Sequence, residues 1–103
     1  MSTTLYIKSN KNAESVFPLI KSAIESEVIK LELALEMANK RLLPFEKRYN
    51  VTSKYFISNL AAEDLDGGDD EYITWAGEYK LKQKLKKKLR QLREIEYDNT
   101  EVF

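Results

Sequence analysis

Residues 13–49 read AESVFPLIKSAIESEVIKLELALEMANKRLLPFEKRY, and the spacing of their apolar side chains decides the fold class. Phe17, Ile20, Ile24, Val28, Leu31, Leu35, Ala38, Leu42, Phe45 and Tyr49 recur at intervals of three or four. At about 100° per residue they form one narrow stripe, as a coiled-coil seam does, and this predicts one long helix over 13–49. Ser15 is suited to cap its start, which puts Pro18 in the first turn, where a missing N–H costs little. Pro44 lies inside the pattern and deletes a hydrogen bond to the fourth residue back. It predicts a kink or a stop near Leu43, at a cost of about 3 kcal/mol if the helix continues.

The same helix carries Val16, Leu19, Ala23, Ala34 and Met37 on one flank of the stripe and Ile29 and Leu33 on the far side. One partner helix cannot cover so wide an arc, so contact is expected on two sides, with the rest of the chain or with a second copy. Leu19, Ala23, Ile29, Leu33 and Met37 are the candidate self-association face.

Beyond the turn-like Asn50, Thr52 or Ser53 can cap a short helix over 53–62, in which Phe56, Ile57, Leu60 and Ala61 share a face. The acid-rich stretch EDLDGGDDE then breaks the pattern. Its two glycines mark a loop over 63–69, and Asp69 or Asp70 caps a last helix over 70–97. Leu81, Leu85, Leu89, Leu92 and Ile95 line one side of that helix and form the natural mate for the first stripe. Tyr72, Trp75, Ala76 and Tyr79 project to nearly the opposite side, so the apolar face is expected to change direction around Gly77.

In the N-terminal arm, 1–12, Leu5, Tyr6 and Ile7 form either a brief strand or a hydrophobic clasp; both remain open. Residues 98–103 read as a fraying tail, with Val102 and Phe103 as an apolar end that a partner groove can capture. The expected fold is a single all-α domain over 1–103, an antiparallel helical hairpin of two long helices with a short middle helix. Two such hairpins are expected to dimerise into a four-helix bundle.

A chain of 103 residues has room for one domain, and a core of that size gains from oligomerisation, which favours a homodimer. Hydrophobic residues at 43% against charged ones at 33% are too many for a disordered chain and suit exposed amphipathic helices. Seventeen basic residues balance seventeen acidic ones, so net charge steers the chain toward neither nucleic acid nor membrane. Cysteine and histidine are both absent. That removes thiolates, imidazole bases and sulfur-ligated metals, and no enzymatic activity, catalytic residue or cofactor is expected. The opening MSTTLYIKSNKN lacks the apolar stretch of a secretory signal, and no run approaches the roughly 18 apolar residues of a membrane span. The expected compartment is the cytoplasm.

Three constellations can carry chemistry. Asp64, Asp66, Asp69, Asp70 and Glu71 offer oxygen ligands to a hard cation. Aligning Gly67 with the glycine of a calcium-binding EF-hand loop, however, puts Ala62 at the first ligand position and Ile73 where the closing glutamate is required. A solvated, helix-capping loop without metal is therefore expected. The run KLKQKLKKKLRQLR over 80–93 has no acid. Lys82, Lys84, Lys86, Lys87, Lys88 and Arg90 are candidate phosphate contacts. The competing role is to flank a buried leucine seam, paired with Glu25, Glu32, Glu36 and Glu46. Tyr72, Trp75 and Tyr79, with Tyr55, are candidate partner-binding residues, because such side chains combine large area with a polar tip. The alternative is that they fill the core between the middle and last helices.

The stretch from Phe45 to Tyr79, FEKRYNVTSKYFISNLAAEDLDGGDDEYITWAGEY, resembles a group of small bacterial proteins of antitoxin type. Segments such as Lys47-Arg48-Tyr49, Tyr55-Phe56, Ala62-Glu63-Asp64-Leu65, Gly67-Gly68-Asp69 and Trp75-Ala76-Gly77-Glu78-Tyr79 carry the resemblance. It covers about a third of the chain and contains no catalytic signature. It implies neutralisation of a small toxin by direct binding, with helices laid across the toxin's active surface. No helix-turn-helix or ribbon-helix-helix pattern accompanies it. The expected function is a non-catalytic protein-protein interaction module that binds and neutralises a partner. The alternatives are a nucleic-acid binder using the basic last helix and a purely structural, self-associating bundle protein.

Overall fold

The computed structural model describes residues 2–9 and 13–101, and the chain is predominantly helical. In order it forms β1 (Thr3–Ser9), α1 (Ala13–Tyr49), α2 (Ser53–Asn59), a 3-10 turn (Ala62–Asp64), α3 (Gly68–Arg93) and β2 (Ile95–Glu101). Contacts divide the chain into two compact units, residues 1–32 with 87–103, and residues 33–86.

Every member of the three-and-four stripe of α1, from Phe17 to Tyr49, is buried or half-buried, and Ala38 and Leu42 are the most enclosed. The helix does not stop at Leu43 but continues through Pro44 to Tyr49. Proline there withholds one donor from the carbonyl of Lys40, and Lys40 is exposed, so water can meet that carbonyl. At the other end α1 begins at Ala13, so Ser15 lies inside the helix and Pro18 in its second turn. The C-terminus closes on Asn50, whose φ of 53° is left-handed, and on a bond from the Val51 N–H to the Glu46 carbonyl at 3.2 Å. That is a Schellman-type ending, at a residue type that tolerates the left-handed region.

The unit formed by residues 33–86 is built on an aromatic core. Leu42, Phe56, Leu65, Trp75 and Ala76 are buried together, with Phe45, Tyr49, Tyr72 and Tyr79 packed around them. Trp75 stacks on Phe56 with ring centroids 3.8 Å apart and planes inclined by 3°, and lies near-parallel to Phe45 at 5.4 Å and Tyr49 at 5.6 Å. Thr52 caps α2 by accepting the Tyr55 N–H at 3.1 Å. This helix is shorter than the pattern predicts, ending at Asn59, because the Leu60 N–H closes its last turn on Phe56 and Leu60 is already extended.

The apolar face of α3 does not change direction around Gly77. Its enclosed stripe runs Trp75, Glu78, Lys82, Leu85, Leu89 and Leu92, at spacings of three and four, all buried or half-buried. Two charged residues occupy seam positions, which hides the stripe from a hydrophobicity count. Glu78 is matched there by Arg41, whose Nε donates to Oε2 at 2.8 Å. Leu81, off the stripe, is 39% exposed. The helix starts at Gly68 (φ 61°), two residues earlier than its acids suggest.

In the unit formed by residues 1–32 and 87–103, β1 and β2 pair in parallel, in register from Thr3 opposite Ile95 to Ser9 opposite Glu101. The chain is therefore not purely α-helical, and the expected helix to Tyr97 with a fraying tail gives way to a helix ending at Arg93 and a strand. Ile95-Glu96-Tyr97 fits a helical seam by its first residue and a strand by its alternation. The strand wins because Thr3–Ser9 supplies backbone partners and Tyr97 meets Phe17 edge-on at 5.5 Å. Ile7 is buried, and Glu32 takes an ion pair from Arg93 at 2.8 Å. Val102 and Phe103 lie outside the described residues. No described helix is long and apolar enough to cross a membrane.

Candidate functional site

Trp75, the largest side chain of the core, sets out the site. Its indole Nε1 donates to Ser53 Oγ at 2.9 Å, and Ser53 is itself buried. Ser53 uses its own hydroxyl and backbone N–H to bind one carboxylate oxygen, Glu46 Oε2, at 2.8 and 2.9 Å. This chain of bonds ties α3 to the start of α2 and to the last turns of α1. It also fixes one wall of a concavity of about 410 Å³, lined by Glu46, Thr52, Ser53, Lys54, Tyr79, Lys82, Gln83 and Lys86.

The helical period explains the other wall. Tyr79, Lys82, Gln83 and Lys86 stand three, four and seven residues apart and so share one face of α3. Gln83 Nε2 donates to Tyr79 Oη at 2.7 Å. Lys82, at its seam position, is half-buried, whereas Lys54 and Lys86 are exposed. None of the three lysines takes part in an ion pair among the described residues.

The structure thus splits the basic run. Lys82 and Lys86 line the concavity; Lys84, Lys87, Lys88 and Arg90 are exposed and lie outside it. None of these six side chains is ion-paired among the described residues, so the glutamates of α1 do not serve them. Glu32 pairs with Arg93, Glu36 with Lys40 at 3.5 Å, and Glu46 with Ser53.

Of the aromatic candidates for partner binding, Trp75 is fully buried and offers no surface in this fold; it is core, because its indole stacks on three other rings. Tyr72 is half-buried against Phe56 at 5.0 Å, and Tyr79 is half-buried beside the concavity. Tyr55 is 49% exposed. The self-association candidates Leu19, Ala23, Ile29, Leu33 and Met37 are all exposed. Ser53, Lys54 and Gln83 carry no signal in the sequence that marks them as site residues, since serine and lysine in a first helical turn and a glutamine in mid-helix are ordinary.

Two acids of the glycine-bearing stretch, Asp66 and Glu71, are engaged by the end of α1. Glu71 accepts the Tyr49 hydroxyl, the Gly67 N–H at 3.1 Å and Arg48 at 2.9 Å, while Asp66 takes a longer contact from Arg48 at 3.4 Å. The Tyr49 bond holds the Glu71 carboxyl below its ordinary range, helped by Gly67 and Arg48 and opposed by burial. Burial and the Glu71 carboxylate push the Tyr49 phenol up. Among the described residues no group of carboxylates is placed to hold a metal ion.

A second concavity, of about 450 Å³, belongs to the unit formed by residues 1–32 and 87–103 and is mainly apolar, lined among others by Ile24, Val28, Leu92, Ile95 and Tyr97. Models of known protein families give no match to the chain, and neither curated proteins nor solved structures match it.

Proposed function

We propose that this protein is a non-catalytic, cytoplasmic protein-binding module of antitoxin type, which holds a partner chain against the outer face of α1. The observation that carries this reading is the exposure of large apolar side chains on that helix. Leu19 and Ile29 in one unit are 70% and 65% exposed, and Leu33 in the other is 60% exposed. Scattered surface leucines are ordinary, but apolar residues repeated along one helical face mark a surface built for contact. The resemblance of residues 45–79 to antitoxin-type proteins supports the choice of partner, a small toxin encoded by a neighbouring gene.

In this reading α1 and α3 form an antiparallel hairpin, and two copies join through Leu19, Ala23, Ile29, Leu33 and Met37 into a four-helix bundle. The contacts within residues 33–86 support the hairpin: Tyr49 meets Glu71, Phe45 meets Trp75 and Arg41 meets Glu78, so the two helices run in opposite directions there. The exposed face serves either a second copy or a toxin. Co-expression with the product of the adjacent gene, followed by co-purification and a mass measurement by light scattering, separates these roles. A stable complex of the two chains is expected. A chain that never co-purifies with that product, whatever its own oligomeric state, removes the antitoxin reading and leaves self-association.

A further inference from the structure

We propose that the concavity between α2 and α3 in residues 33–86 is a binding site for a phosphoryl group, held by Lys54, Lys82 and Lys86. The polar groups of the lining include five free donors. Besides the three ammonium groups there are two hydroxyls whose oxygens are already used as acceptors, Tyr79 by Gln83 and Thr52 by the Tyr55 N–H. Each is left with its proton to give away. The one carboxylate on the wall, Glu46, has Oε2 bound twice by Ser53 and takes part in no ion pair among the described residues.

Charge and burial point the same way. Three ammoniums against one carboxylate leave a local excess of two positive charges. That matches a phosphate monoester, which carries about −1.5 to −2 at neutral pH with three acceptor oxygens, better than a single carboxylate. Lys82 is half-buried at a seam position and takes part in no ion pair among the described residues. The volume, about 410 Å³, lies within the range of roughly 300–1,000 Å³ typical of small-molecule pockets. The match is to the doubly charged monoester of a free phosphorylated molecule, not to the singly charged diesters along a nucleic-acid strand. The site is independent of the apolar face on α1.

Binding of pyrophosphate and of a short single-stranded oligonucleotide to the full chain is read at low salt by the fluorescence of Trp75, which is linked to the pocket wall through Ser53. Thermal melts accompany each variant. The double substitution Lys54→Gln and Lys86→Gln, at two exposed positions, is expected to weaken binding about tenfold or more. The matched pair Lys84→Gln and Lys88→Gln removes the same charge outside the concavity and is expected to change it less than about threefold. Loss of pyrophosphate binding supports the site, and loss confined to the oligonucleotide, whose diesters carry one charge each, overturns the assignment to a monoester. Equal weakening by the two pairs, absence of binding to either probe at millimolar concentration, or equally tight binding of polyglutamate overturns it. The last result assigns the lysines to an acidic protein partner.

Discussion

Trp75 and Ser53 satisfy each other in the interior: the indole N–H donates to the serine hydroxyl at 2.9 Å, and both side chains are buried. A buried donor stripped of its acceptor costs about 1–3 kcal/mol. Ser53→Ala is therefore expected to lower stability by that amount, measured by urea unfolding. Trp75→Phe, which removes the donor as well, should make the further loss from Ser53→Ala smaller than in the parent chain. An additive double mutant would show that the bond contributes nothing of its own.

The glycines give predictions of opposite sign. A Cβ on Gly67 would stand 2.7 Å from the Cβ of Glu71, so Gly67→Ala forces the first turn of α3 apart and should destabilise. Gly77 lies in mid-helix with open space around the same position, and Gly77→Ala should raise stability by roughly 0.5–1 kcal/mol through helix propensity. Thermal melts of the two variants decide it. A Gly77→Ala chain that melts below the parent would contradict the open geometry.

Acid should loosen the clasp between α1 and α3. Folding holds Glu71 below its ordinary value of 4.5, so the native state favours the ionised form and gains stability above that value. The gain fades as pH falls from there through the lower folded-state value. Glu71→Gln should thus be less stable than the parent at neutral pH, and the difference should close on acidification. Denaturant midpoints measured across the acid range test this; a constant difference would mean that ionisation of Glu71 is not involved.

Substitution on the outer face of α1 should separate binding from folding. Leu33 and Met37 are exposed, so Leu33→Asp with Met37→Asp should leave the melting temperature within a few degrees, since surface changes are usually within about 0.5 kcal/mol. The same pair should abolish co-purification with the partner or dissociate a dimer. Retention of both associations at parental strength would remove this face from the proposed interface.

The segments on which the antitoxin-type expectation rests hold the unit of residues 33–86 together. Arg48 and Tyr49 bind Glu71, Phe56, Leu65, Trp75 and Ala76 form the core, and Gly67 leaves room for Glu71. Within that stretch the exposed large apolar side chains are Tyr55 and Ile73, and others lie on the outer face of α1.

The extent of α1 is written in the recurrence of its apolar residues, because a period of three and four belongs to the helix whatever surrounds it. The acidic, glycine-bearing break and the capping threonine are local in the same way, since turn and cap chemistry acts within a few residues. The continuous seam of α3 was not legible, because Glu78 and Lys82 occupy two of its positions. Only Arg41 across the interface and the adjoining concavity explain why charges stand there. β2 likewise depends on Thr3–Ser9, far away along the chain, and a strand without its partner has no local signature strong enough to outcompete a helix. The helical period alone puts Lys82 beside Lys86, but bringing Lys54 to them follows from tertiary structure: packing around Trp75 sets the start of α2 against that face of α3.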